Sequence, residues 1–91
     1  MKAFCPETLD QLADRWTVLM NQLNRHSGPY PDRFFVEIAE FVQQTRHIIN
    51  PDPFEHEVLQ TASWLLEAGN LKMALFRLHE VIEARIEGRL F

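Results

Sequence analysis

The stretch Trp64-Leu65-Leu66-Glu67-Ala68-Gly69-Asn70-Leu71-Lys72-Met73-Ala74-Leu75 limits what this chain can fold into more than any other. An apolar helical pattern stops at Ala68-Gly69, restarts at Asn70, and runs on through Leu78, Val81, Ile82 and Ile86. Two helices folded back on each other through a very short turn satisfy that pattern. Glycine makes such a turn possible, because it enters the left-handed conformation that ends a helix without a side-chain clash.

Two more turns are written in the chain, so four helices are expected. The first spans about Pro6 to Arg25, with Leu9, Leu12, Trp16, Leu19 and Leu23 in its stripe and Ala13 and Met20 widening it. Thr8 and Gln11 have the spacing of a capping box, while Pro6 suits a first-turn position. Ser27-Gly28-Pro29 closes it. The second runs from Pro31-Asp32 to Ile49, burying Phe34, Ile38, Phe41, Val42, Thr45, Ile48 and Ile49, and Asn50-Pro51 stops it. The third opens with Asp52 as cap, Pro53 at the first helical position and Glu55 three residues after the cap, and lines one side with Phe54, Val58, Ala62, Leu65 and Leu66. Asn70 caps the fourth, whose stripe is Leu71, Ala74, Leu75, Leu78, Ile82 and Ile86, with Gly88 at its end. Strand-like alternation is absent from the sequence. The expected fold is all-α: one helical domain over residues 1–91, a small four-helix bundle or stacked antiparallel helical hairpins.

Ninety-one residues allow one core, and 46% apolar content is enough to pack it. Thirteen acidic residues face nine basic ones, and Arg15, Arg25, Arg33, Arg46, Arg77, Arg85 and Arg89 are spread among carboxylates. A net charge of −4 opposes duplex nucleic acid and anionic membrane surfaces, unless the few cations cluster in space. The lone Cys5 has no internal disulfide partner, Met1 to Pro6 lacks the apolar run of a signal peptide, and no segment approaches a membrane span. The sequence-based expectation is a cytoplasmic protein.

Within residues 55–84 the spacing resembles a tetratricopeptide-type helical hairpin. Ala62 stands at the small position of the first helix, Gly69-Asn70-Leu71 at the turn, and Ala74 at the small position of the second. Leu78, Val81 and Ile82 occupy the later apolar positions. Small side chains let two helix backbones approach, and larger ones fill the groove beside them. The pattern departs from the family at Thr61, a usual leucine position, and at Ile86, where the family has proline. The resemblance implies a scaffold that binds a peptide or helix, and it does not imply an enzyme.

Catalytic and metal chemistry find little support in the residue pattern. His79 and Glu83 are one helical turn apart, but a zinc protease motif needs a second histidine where Glu83 stands. A carboxylate-bridged centre needs a Glu with a His three residues later, and Glu37, Glu40 and His56 do not supply that pair. Lys72, Phe76, His79 and Glu83 read as a solvated helix face, and Glu55 and Glu57 as dipole-favoured residues of a first turn. Cys5, Ser27 and Ser63 lack a nucleophile setting, and the three glycines stand singly, so no phosphate loop is present. Catalytic residues, metal ligands, cofactors and a small-molecule substrate are therefore not expected.

Apolar residues off the stripes are the remaining signal. Trp64 follows Ser63 and precedes Leu65, so it points about 100° away from the contact made by Leu65. Phe76 relates to Leu75 in the same way, and Met73 lies one turn before it. Trp64, Met73 and Phe76 are the candidate partner-binding residues. The expected function is a protein–protein interaction module or accessory protein, self-associating as a homo-oligomer or binding another protein. Two alternatives compete with it. One is a small regulator contacting nucleic acid through the helix after Gly69, which carries Lys72, Arg77, Arg85 and Arg89 but also Glu80, Glu83 and Glu87. The other is an oligomeric metal-binding helical protein using Glu37, Glu40, His56 and His79.

Overall fold

Residues 6–88 are described by a computed structural model, and Cys5, Arg89, Leu90 and Phe91 lie outside them. Four helices follow one another: α1 (Leu9–Arg25), α2 (Asp32–Ile49), α3 (Pro53–Glu67) and α4 (Leu71–Ile86). The described residues contain no strand.

Helix ends follow from local chemistry. Thr8 caps α1 through its hydroxyl, which accepts from the Gln11 N–H at 3.2 Å. Gln11 reaches back one residue further than a capping box does, accepting from the Glu7 N–H, and Pro6 precedes the helix. At the end of α2, Asn50 adopts a left-handed conformation (φ 48°) with its N–H on the Arg46 carbonyl. Asn tolerates that region better than most side chains do. Pro51 behind it forbids continuation. The α3–α4 turn is a Schellman motif, in which the Gly69 N–H bonds the Leu66 carbonyl and the Asn70 N–H the Leu65 carbonyl. Gly69 has φ 87°, which only glycine adopts at low cost. Asn70 therefore ends one helix with its N–H and starts the next with its carbonyl, and its side chain makes no cap.

All four helices bury their apolar sides in one core cluster. Helix α4 is the centre of it. It packs most extensively on α3, then on α1, and also on α2, whereas α1 and α2 share the smallest interface. Fully buried Ala62 and Ala74 belong to the α3–α4 pair, where small side chains permit close approach. Trp16 ties α1 to α4, its indole N–H donating to the Leu75 carbonyl.

Two apolar faces sit differently from the sequence expectation. On α3 the buried line is Glu55, Leu59, Ala62 and Leu66, with Val58 and Leu65 partly covered and Phe54 exposed. The helix thus turns its 55-59-62-66 line toward the core, where Leu59 packs and Glu55 meets Arg85. On α4, Val81 and Ala84 join the buried set, while Ile86 is exposed at the last turn. The α2 face is as expected, with Phe41 fully buried at its middle.

Glu55 does more than favour a helix dipole. Its N–H donates to Asp52 Oδ1 at 2.8 Å and its Oε1 accepts from the Asp52 N–H at 3.1 Å, completing a capping box. The same carboxylate takes two guanidinium bonds from Arg85 on α4, one of them 2.6 Å from Nε. Glu55 is 2% exposed and the Arg85 side chain 35%, so this pair joins the start of α3 to the end of α4 at the edge of the core. The Arg85 hydrogen bonds hold the Glu55 carboxyl below the usual glutamate range, against burial that pushes it up, with help from the Asp52 N–H and the Arg85 charge.

A carboxyl lowered by folding contributes stability above its unfolded value, and that stability is lost as pH falls through the folded value. Urea denaturation followed from pH 7 down to about pH 3 should show this loss in the native protein. The Glu55→Gln variant should be less stable at neutral pH by about 2 kcal/mol, the size of a charge-assisted pair, and should lack that part of the acid slope. Identical slopes for the two proteins would assign the acid sensitivity to other carboxylates.

Candidate interaction surface

Successive residues of a helix lie about 100° apart, so the buried set of α4 determines which residues face outward. With Leu71, Ala74, Leu75, Leu78 and Ile82 inside, Met73 and Phe76 fall on the opposite side. They are 45% and 48% exposed. Three positions apart on one helix, they form a single apolar patch.

Helix α1 borders this patch. Trp16 lies with its ring centroid 6.3 Å from Phe76 and 4.5 Å from His79. The face expected to be wholly solvated is thus covered along one edge, at His79. Polar groups frame the rest: His79 Nε2 lies 3.2 Å from Glu83 Oε1, and Arg77 donates to Glu80 at 2.9 Å. Met73 and Phe76 are at the centre, with Trp16 behind them. Apolar side chains thus lie at the middle of this face and polar ones around it.

Trp64 is placed apart from these two. It lies on α3, opposite the Leu59-Ala62-Leu66 side, and at 62% is the most exposed large apolar side chain among the described residues. Its indole has no ring contact or hydrogen bond with another described residue. The structure therefore brings Met73 and Phe76 together and leaves Trp64 on another helix. Val18, Phe35, Val36, Phe54 and Ile86 are also exposed, and the sequence reading assigned none of them to a binding surface. For Val36 the signal was available, since a position two residues from Ile38 on a helix points away from the core.

The residues considered for metal and nucleic-acid chemistry are dispersed. Glu37 lies 3.7 Å from Arg15, His56 is bonded to Arg46 at 2.7 Å, Glu40 is exposed on α2, and His79 is under Trp16. Among the described residues no three His, Cys, Asp or Glu side chains converge. Along α4, Arg77 and Arg85 are engaged by Glu80 and Glu55. No described helix is long and apolar enough to cross a membrane.

Compared with protein-family models, curated proteins and solved structures, the chain matches none of them.

The two tryptophans should report their different settings. Iodide should quench the emission of Trp64 strongly and that of Trp16 weakly. A Trp64→Phe variant should lose the quenchable fraction while its unfolding free energy changes by no more than about 0.5 kcal/mol, as for an exposed site. Unchanged quenching in that variant would place Trp16, and not Trp64, at the surface.

Proposed function

We propose that this protein is a small interaction module whose outward α4 face, centred on Met73 and Phe76, binds another protein or a second copy of itself. The observation that carries the reading is the exposure of two large, adjacent apolar side chains on the helix that otherwise organises the core. A small domain gains stability from covering such a patch, because association shifts the folding equilibrium by mass action. Trp64 supplies a separate apolar contact on α3.

The likeness of residues 55–84 to a tetratricopeptide-type hairpin supports the same class of function. Ala62 and Ala74 are both fully buried, and the Gly69 turn joins their two helices. We read the protein as a cytoplasmic accessory or adaptor protein with no catalytic role.

Size-exclusion chromatography with light scattering tests the proposal. We expect a mass above one protomer, or a complex with a protein partner drawn from native extract. Phe76→Asp and Met73→Asp should each weaken that association by about thirtyfold, as for a central contact worth 2 kcal/mol. A strict monomer that captures no partner would overturn the reading. Association unchanged in both variants would remove the α4 face from it.

A further inference from the structure

We infer that the outward face of α4 pairs with the same face of a second copy of this chain, the two helices running antiparallel about a two-fold axis at Phe76. The inference rests on the function proposed for that face, and it commits the face to one occupant in one arrangement.

The packing leaves a helix-wide opening there. Helix α4 lies between α1 and α3, whose backbones do not approach each other, while α2 packs on all three. With α2 beneath and α1 and α3 at the flanks, the remaining side of α4 is bordered but not covered. Trp16 of α1 stands along one edge, beside Phe76 and His79. Along the other edge, Phe54, Glu57, Val58 and Thr61 of α3 form with Arg77 and Glu80 a depression of about 270 Å³. Phe54 is 53% exposed, so apolar surface continues from α4 onto α3.

The order of charges along the open side selects the occupant. Each residue advances about 100° around the helix, which puts Lys72, Glu80 and Glu83 within about 40° of Phe76. From the start of α4 to its end, the stripe therefore reads cation, aromatic ring, carboxylate, carboxylate. Lys72 is exposed and has no acidic partner among the described residues. Glu80 accepts from Arg77, and Glu83 lies beside His79. A carboxylate has two oxygens and about four acceptor sites, so both keep capacity for another donor.

Reversed end for end, such a stripe is its own complement. On a two-fold axis at Phe76, residues equally far before and after it face each other. Lys72 then faces Glu80 of the second copy, with Glu83 of that copy one turn further on. Symmetry forms the same contacts twice, as an isologous interface does. The two Phe76 rings meet on the axis, with Met73 of each copy beside them. A parallel pair would instead set Lys72 on Lys72 and Glu80 on Glu80, and like charges brought together are unfavourable.

The same order runs against the helix dipole within one copy. Helices α1, α2 and α3 each carry an acidic residue in the first turn, whereas α4 has none, lacks a side-chain cap and places Lys72 there. Carboxylates favour the start of a helix and cations its end. In the antiparallel pair, Glu83 of each copy comes level with the start of the other's α4. Association thus offsets in both copies an arrangement that is unfavourable in each alone.

Sedimentation equilibrium of the full chain tests this, with Lys72→Glu, Phe76→Asp and a triple variant that combines Lys72→Glu, Glu80→Lys and Glu83→Lys. We expect a dimer that weakens as salt is added, because exposed ion pairs are screened. Lys72→Glu should weaken it by about tenfold, since the axis turns one substitution into two repulsive contacts. The triple variant restores opposite signs in the antiparallel arrangement alone, and should return to within about threefold of the native chain. Phe76→Asp should weaken the dimer by about thirtyfold, as at a central contact. All four positions are exposed or half-exposed, and far-ultraviolet circular dichroism checks that each variant folds. A dimer sensitive to Phe76→Asp but indifferent to Lys72→Glu, or not restored in the triple variant, would overturn the antiparallel pairing and leave the α4 face as an interaction surface. A chain monomeric at its highest soluble concentration that still forms a Phe76-dependent complex with another protein would do the same. A dimer unaffected by Phe76→Asp, or a monomer that forms no complex, would overturn both.

Discussion

The breadth of the buried side of α4 is the constraint on which the rest of the structure depends. Leu71, Ala74, Leu75, Leu78, Val81, Ile82 and Ala84 cover more of its circumference than one neighbour can hide. A stripe of ordinary width needs one packing partner, whereas a wide one needs several. Three helices accordingly gather on α4, with α3 folded directly back, α1 fastened by the Trp16 indole, and α2 completing the cover. The weak interface between α1 and α2 follows from the same cause, since each has its larger commitment elsewhere.

Polar chemistry then sets the register within that assembly. Glu55 satisfies the start of α3 and the guanidinium of Arg85 near the end of α4 with one carboxylate. A buried charge is tolerated only when paired and hydrogen-bonded. Sliding or rotating either helix would strip that carboxylate of its donors, so the pair restricts how α3 and α4 can meet. Thr45, also fully buried, solves its own problem locally by donating to the Phe41 carbonyl at 2.8 Å. The two buried polar residues are thus satisfied, one across two helices and one within a single turn.

Outside the core, the surface divides into two chemically distinct regions. On α4, apolar side chains that the core does not need are exposed beside Trp16 and framed by polar groups. At the opposite chemical extreme, Arg25 and Arg33 line a depression between two helix ends, and neither has an acidic partner among the described residues. The overall charge of −4 conceals this second region, because net charge says nothing about where cations collect.

The helices and their ends were legible in the sequence because their causes are local. Gly69, Asn50-Pro51 and Asp52-Pro53 act within a few bonds of themselves, and apolar spacing reports period whatever the neighbour. The outward placement of Trp64, Met73 and Phe76 was legible for the same reason, since it depends on angle around one helix. Phe54 and Ile86 were misplaced, and buried Leu59 was passed over, because spacing alone does not say where a helix axis turns relative to its neighbours. Nothing in the line of residues announced that Glu55 would meet Arg85, thirty positions away, or that Arg25 and Arg33 would share a depression. What the chain determined by itself is a set of four helices with definite ends and periods. Which sides of them became interior, and which charges came together, was decided only when the helices packed, because burial and pairing are properties of contacts between distant segments.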